Sequence, residues 1–177
     1  MEVVVSFNNT QLRISELSAS NFRKFESYSI DFDQQLTVLV GDNGTGKSTL
    51  IDAASVALGA MFQKIEHATS PSIASDDARG AVIKQGDMMD VQPQYPVNVN
   101  ASGVAFSASI DWSRSLNSAK GRATQADAKS IINAGEQIQN FAASGDGNSV
   151  LPILARYGTD RLWKQDVSSP DALPNRT

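Results

Sequence analysis

The feature that most constrains this chain is an eight-residue stretch, Gly41-Asp42-Asn43-Gly44-Thr45-Gly46-Lys47-Ser48. It stands between the continuous apolar run LTVLV (36–40) and the segment TLIDAASVALGAMF (49–62). The stretch matches G-x-x-x-x-G-K-[ST] in full. Glycine has no Cβ, so the chain can curl until successive backbone N–H groups point into one concavity that suits phosphate oxygens. A helix starting beside Lys47 adds the positive end of its dipole to the same place. Lys47 is then placed to reach the β- and γ-phosphates of a nucleoside triphosphate. The Ser48 hydroxyl is placed to ligate Mg²⁺, an ion that keeps several waters and takes few protein ligands. The expected ligands are ATP, or a closely related triphosphate, and Mg²⁺.

The flanks give the fold class. LTVLV has the unbroken apolar character of a strand covered on both faces, and it leads straight into the loop. After the loop the spacing of Leu50, Ala54, Ala57, Met61 and Ile65 predicts a helix over 46–66 with one apolar face. Before the loop, 11–17 and 28–32 alternate as strands, with NFRKF (21–25) between them. Alternation resumes over 95–112, where Ala101-Ser102-Gly103 makes a hairpin turn plausible. A second helix is expected over 124–141, opened by Thr124 and Asp127 as a capping box, with Ala128, Ile131, Ile132, Gly135 and Ile138 inward. VLPILARY (150–157) reads as a further buried strand. The expected architecture is therefore an α/β P-loop fold, with core strands at 36–40 and 151–157 and an accompanying antiparallel β layer. Residues 1–165 form one lobe, 69–95 a mobile excursion rich at its start in Ser, Asp and Ala, and 166–177 a polar tail.

Composition narrows the function classes. The 177 residues carry a net charge of −4, without the basic stripe that supplies non-specific nucleic-acid affinity. A nucleic-acid partner is thus not supported by charge. The absence of cysteine excludes disulfides, thiol catalysis and cysteine-held metal. No apolar run approaches the length of a membrane span, and MEVVVSFNNT lacks the basic start of a secretory leader. The expectation is a cytoplasmic protein with no membrane partner. His67, in a polar stretch, reads as solvated, as do Asp76 and Asp77, whereas Trp112 and Trp163 read as packing residues.

The order NFRKF, then IDF, then LTVLVGDNGTGKSTLIDAASVALGA resembles the N-terminal lobe of the SMC/RecF-like branch of ABC-type ATPases. The segment LPILARYGTDRLW (151–163) is similar to one found in overcoiling-type ATPases and in the anti-phage defence ATPases of Septu systems and some retrons. Arg156 and Asp160 depart from that segment's pattern. The resemblance implies that Arg23 and Lys24 lie near the nucleotide phosphates and that Thr49 joins the binding set. It also implies a role for Arg161 at the nucleotide or a dimer interface, and a γ-phosphate-sensing glutamine, for which Gln92, Gln94 and Gln165 are candidates.

Such ATPases need a strand ending in Asp-Glu for hydrolysis, and a signature segment donated across an ATP-sandwiched homodimer. Neither pattern follows Ser48; Asp111 ends a strand of half-buried character. No catalytic residue is assigned, and the chain is expected to bind ATP without turning it over alone. On this reading a C-terminal lobe completes the site, and an effector nuclease is a possible partner in DNA repair or anti-phage defence. The alternatives are a non-hydrolysing nucleotide-binding regulatory module and a small P-loop kinase or GTPase. No N-K-x-D segment for guanine is present.

Overall fold

The computed structural model describes residues 12–86, 88–144 and 152–157. Strands β1 (Leu12–Phe22), β2 (Phe25–Asp31), β5 (Val97–Ala105) and β6 (Ala108–Leu116) form one antiparallel sheet in the order β2-β1-β5-β6. Strands β3 (Gly80–Gln85) and β4 (Met88–Pro93) make a separate hairpin. Helix α1 (Lys47–Gly59) continues as a 3₁₀ turn (Ala60–Lys64), and helix α2 (Lys129–Ser144) follows a 3₁₀ turn at Ala126–Ala128.

Period-two alternation decides which sheet face is covered. Leu17 and Ala19 of β1, Val97, Val99 and Ala101 of β5, and Trp112 and Leu116 of β6 are buried against the helices. The other face is polar, with Ser18 beside Asn100 and Ser20 beside Asn98 across the β1–β5 pair. There Asn98 Nδ2 donates to Ser20 Oγ at 3.2 Å and Ser115 Oγ donates to Asn98 Oδ1 at 2.6 Å. Helices supply Leu50, Ala53, Val56, Ala57, Met61, Ile131, Ala134 and Ile138 to the same core. Each large side chain fully removed from water contributes roughly 1.5–3 kcal/mol.

The antiparallel layer thus forms from the early strands and the 95–112 region, as its alternation implies, but the turn differs. Phe106 and Ser107, at φ 49° and 71°, make the β5–β6 turn, not Ala101-Ser102-Gly103. Gly103 lies within β5 because β1 approaches closely: a Cβ there would stand 2.0 Å from the Arg13 carbonyl oxygen, beside the register shift between Ile14 and Glu16. The first helix tightens to 3₁₀ geometry after Gly59, short of 66. The second starts at Lys129 in place of 124, because Thr124 is drawn to the sheet, its N–H donating to Ser115 O at 2.7 Å.

Two further departures bear on function. LTVLV is not in a ladder: Leu36, Val38 and Val40 are 72%, 69% and 92% exposed. An all-apolar strand needs neighbours at both edges and cover on both faces, and no described strand lies alongside this one. Residues 152–157 likewise form no strand, and Ile153 is exposed. Within 69–95, read from composition as a surface excursion, residues 69–79 bury Ile73 and Asp77. They are fastened by buried Arg114, whose Nη1 donates to Pro71 O at 2.7 Å and Nη2 to Ser72 Oγ at 2.9 Å.

Candidate functional site

The Gly41–Ser48 loop joins the exposed LTVLV segment to α1. Gly44 and Gly46 hold φ +83° and +106°, conformations that L side chains rarely adopt. Gly46 is the residue preceding α1, and its carbonyl accepts the Leu50 N–H at 2.9 Å. Thr45 closes the loop from within, its Oγ1 donating to Asp42 O at 2.9 Å. Lys47 Nζ turns back across the loop and donates to Gly41 O at 2.6 Å and Asp42 O at 2.7 Å. The ammonium therefore sits where the loop's backbone converges. Asn43 and Ser48 are exposed and Thr49 is half-buried. The Ser48 hydroxyl, on the first turn of α1 beside Lys47, is of the right chemistry and access to ligate Mg²⁺.

The β1–β2 turn packs on this loop. Arg23 and Lys24 form the two-residue turn, with Arg23 at φ 52°. Lys24 Nζ donates to Gly44 O. A Cβ at Gly46 would lie 2.6 Å from Phe25 Cζ and 2.9 Å from Lys24 Cδ, so glycine there admits the turn. Phe25 stacks on Tyr28 with ring centroids 4.7 Å apart. These rings, Val38, Val40, Gly46 and Lys47 line a cavity of about 390 Å³ against the loop.

Arg23 is differently engaged. Its Nε donates to Asp77 Oδ1 at 2.7 Å and its Nη1 to Asp52 Oδ2, while its backbone N–H donates to Asp77 O at 2.6 Å. Burial pulls its pKa down, but the Asp77 hydrogen bond and the charges of Asp52 and Asp77 outweigh that and raise it. Asp52 also accepts Nη2 of Arg156. The structure thus brings Lys24 to the loop and gives Arg23 to the carboxylates of Asp52 and Asp77.

Sequence reasoning missed that cluster. Asp77 is buried, not solvated, because Arg23 and the Ala74 N–H, at 2.9 Å from Oδ2, compensate its charge; Asp76 beside it is exposed. The available signal was Asp52, the single acid of α1. Trp112 packs as expected, buried with Nε1 donating to Ala57 O at 2.9 Å, and His67 is exposed. Gln92 and Gln94 bond locally near the β3–β4 hairpin, to Asp90 and to each other. Asp111 is exposed on β6, paired in register with Ser102. Arg161, Trp163, Gln165 and the 166–177 tail lie outside the described residues. Among the described residues no group of three or more His, Asp or Glu side chains is arranged to hold a metal ion, and no helix is long and apolar enough to cross a membrane.

The family model described as an AAA domain matches residues 16–172. The chain is 27% identical over 163 residues to the retron Ec83 probable ATPase of Escherichia coli, covering 91% of this chain and 28% of that one. It is 46% identical over 46 residues to the DNA repair protein RecN of Bacillus subtilis, covering 26% of this chain and 8% of that one. To the DNA replication and repair protein RecF of Leptospira interrogans it is 44% identical over 43 residues, covering 24% and 12%. A solved structure concerned with ATP-driven dimerization and DNA-stimulated activation of SMC ATPases overlays with a TM-score of 0.46 at 22% identity, covering 69% of this chain and 78% of that one. The chain spans well under half the length of the curated relatives cited. The chain belongs to the AAA domain family and, within it, is SMC/RecF-like.

Proposed function

We propose that this chain binds Mg-ATP in the Gly41–Ser48 loop and supplies one half of a hydrolytic site that a C-terminal lobe completes. The observation that carries the binding reading is the convergence of Lys47 and Lys24 on the loop, with Gly44 and Gly46 in left-handed conformations. With nucleotide bound, Lys47 would exchange its loop carbonyls for phosphate oxygens, Lys24 would add a second cation, and Ser48 would hold a magnesium ion. Such an ion would supply charge neutralisation and orientation of the triphosphate. The flat Phe25–Tyr28 pair beside the loop offers a π-face for the base.

The two-lobe reading is supported by the exposed apolar surface of Leu36, Val38 and Val40 next to the loop, which is the character of a sheet interior. It favours an incomplete ATPase over a self-contained kinase or regulatory module. The complete protein would then dimerise around ATP. Likeness over 91% of the chain to a retron ATPase, against 24% to 46% for the repair proteins, favours a defence role over housekeeping repair.

The test is a titration of the chain with a fluorescent ATP analogue and Mg²⁺, together with steady-state hydrolysis, each beside Lys47→Ala. Saturable binding lost in the variant, with turnover no higher than the variant's, is expected. Turnover that depends on Lys47 would show a complete site within this chain and refute the two-lobe reading.

A further inference from the structure

Asp52 lies four residues past Ser48 on α1 and is 9% exposed. Its two oxygens are divided between cations distant in sequence. Oδ2 accepts Arg23 from the β1–β2 turn and Oδ1 accepts Arg156 from the 152–157 segment. The Arg156 side chain is 54% exposed, so the segment is tied at its outer end to a nearly buried charge. Between segment and helix lies a cavity of about 650 Å³ with Ile51, Leu58, Phe62 and Leu154 on its walls. The same turn that holds Asp52 through Arg23 reaches the Gly44 carbonyl through Lys24.

We propose that Asp52 couples the glycine loop to the 152–157 segment, so that triphosphate in the loop tightens the hold on Arg156. The proposal rests on the nucleotide-binding reading above. Two cations on one carboxylate compete: each is attracted less because the other already offsets the charge, and they repel one another. A polyanion seated beside the turn draws on Arg23 and loosens its bond to Asp52. The nearly buried carboxylate then depends on Arg156, because leaving such a charge uncompensated is costly. Linkage makes the effect reciprocal, so a seated segment must favour nucleotide by the same factor.

Two variants should therefore act in opposite senses. Arg156→Gln leaves Asp52 to Arg23 alone, withholding Arg23 from the polyanion, and weakens nucleotide binding. Asp52→Asn frees Arg156 and leaves Arg23 to Asp77 alone; binding is then no weaker than in the unaltered chain, while the segment is no longer governed by nucleotide. A loss of structure would weaken binding in both. Arg156 stands at the exposed end of the cluster, so its replacement leaves the core intact.

The experiment is timed trypsin cleavage after Arg156, followed by mass spectrometry, on the full chain and on Asp52→Asn, with and without saturating Mg-ATP. Titration with a fluorescent ATP analogue is run on all three proteins, and circular dichroism confirms that the variants are folded. Mg-ATP is expected to slow the cut about fivefold in the unaltered chain and not in Asp52→Asn, and Arg156→Gln to bind about fivefold more weakly. Equal protection in Asp52→Asn, saturated binding without protection, or unaltered affinity in Arg156→Gln would each overturn the coupling. Failure of the unaltered chain to bind nucleotide would overturn the loop reading and the coupling with it, and the titration reports that separately.

Discussion

Replacing Gly46 by alanine tests whether the β1–β2 turn is seated on the loop. The backbone at φ +106° costs an L-residue about 1–2 kcal/mol. The new Cβ would also meet Phe25 Cζ at 2.6 Å and Lys24 Cδ at 2.9 Å. Lys24 can swing away, but Phe25 is stacked on Tyr28, and forcing a packed ring aside costs about 1–3 kcal/mol. The expected total is a loss of about 3 kcal/mol. Gly44→Ala is the matched control, since it shares a positive φ of +83° and has no atom within 4 Å of the added Cβ. It should lose only the backbone share, about 1–2 kcal/mol. Urea unfolding followed by tryptophan fluorescence separates the two, because a difference near 2 kcal/mol moves the midpoint by about 1 M at an ordinary slope. Equal midpoints for the two variants would refute the argument that the turn, rather than the loop's own backbone, demands glycine at 46.

Arg114→Met should destabilise the chain by about 2–3 kcal/mol in the same assay. It leaves the Pro71 carbonyl and the Ser72 hydroxyl without their donors, partly offset by no longer burying a charge whose pKa burial pulls down. An unchanged midpoint would mean that the other ties of residues 69–79, among them buried Ile73, the Arg23–Asp77 pair and Ser70 Oγ on Gly59 O, suffice to hold them. Asp33 accepts the N–H of Gln35 at 2.9 Å and of Leu36 at 3.4 Å, which hold its carboxyl below its ordinary pKa. A depressed folded-state pKa means stability present above the unfolded value, about 3.9, and lost as pH falls through the folded one. Asp33→Asn should therefore flatten the acid limb of a stability–pH curve below about pH 4, and an unaltered limb would contradict this.

The loop and the strands that carry it were legible because their signals are local. Glycines at fixed offsets, alternation in β1, β5 and β6, and the apolar face of α2 each report on neighbours within a few residues. What failed depended on distant ones. Gly103 looked like a turn residue, yet it answers to the Arg13 carbonyl of another strand. Phe106 and Ser107 carry the left-handed turn despite side chains that signal nothing of the kind. Asp77 sits in a run of serine and aspartate that reads as solvent-facing, and it is Arg23, 54 residues earlier, together with the Ala74 N–H, that makes its burial tolerable. LTVLV has the composition of a covered strand, and composition alone cannot say which chain segment provides the cover.

The pairing of β1 with β5 sets how quickly this structure can assemble. The β1–β2 hairpin closes through a two-residue turn and can form on the microsecond scale. Its other edge must wait for β5, since Ser20 meets Asn98 only after an intervening separation of 78 positions. Closing so long a span is entropically expensive before any contact rewards it, and non-local pairing of this kind slows folding. The turn that buttresses the glycine loop is thus available early, whereas the sheet that buries α1 is completed late. Changes in the β1–β5 register should accordingly act on the rate of folding.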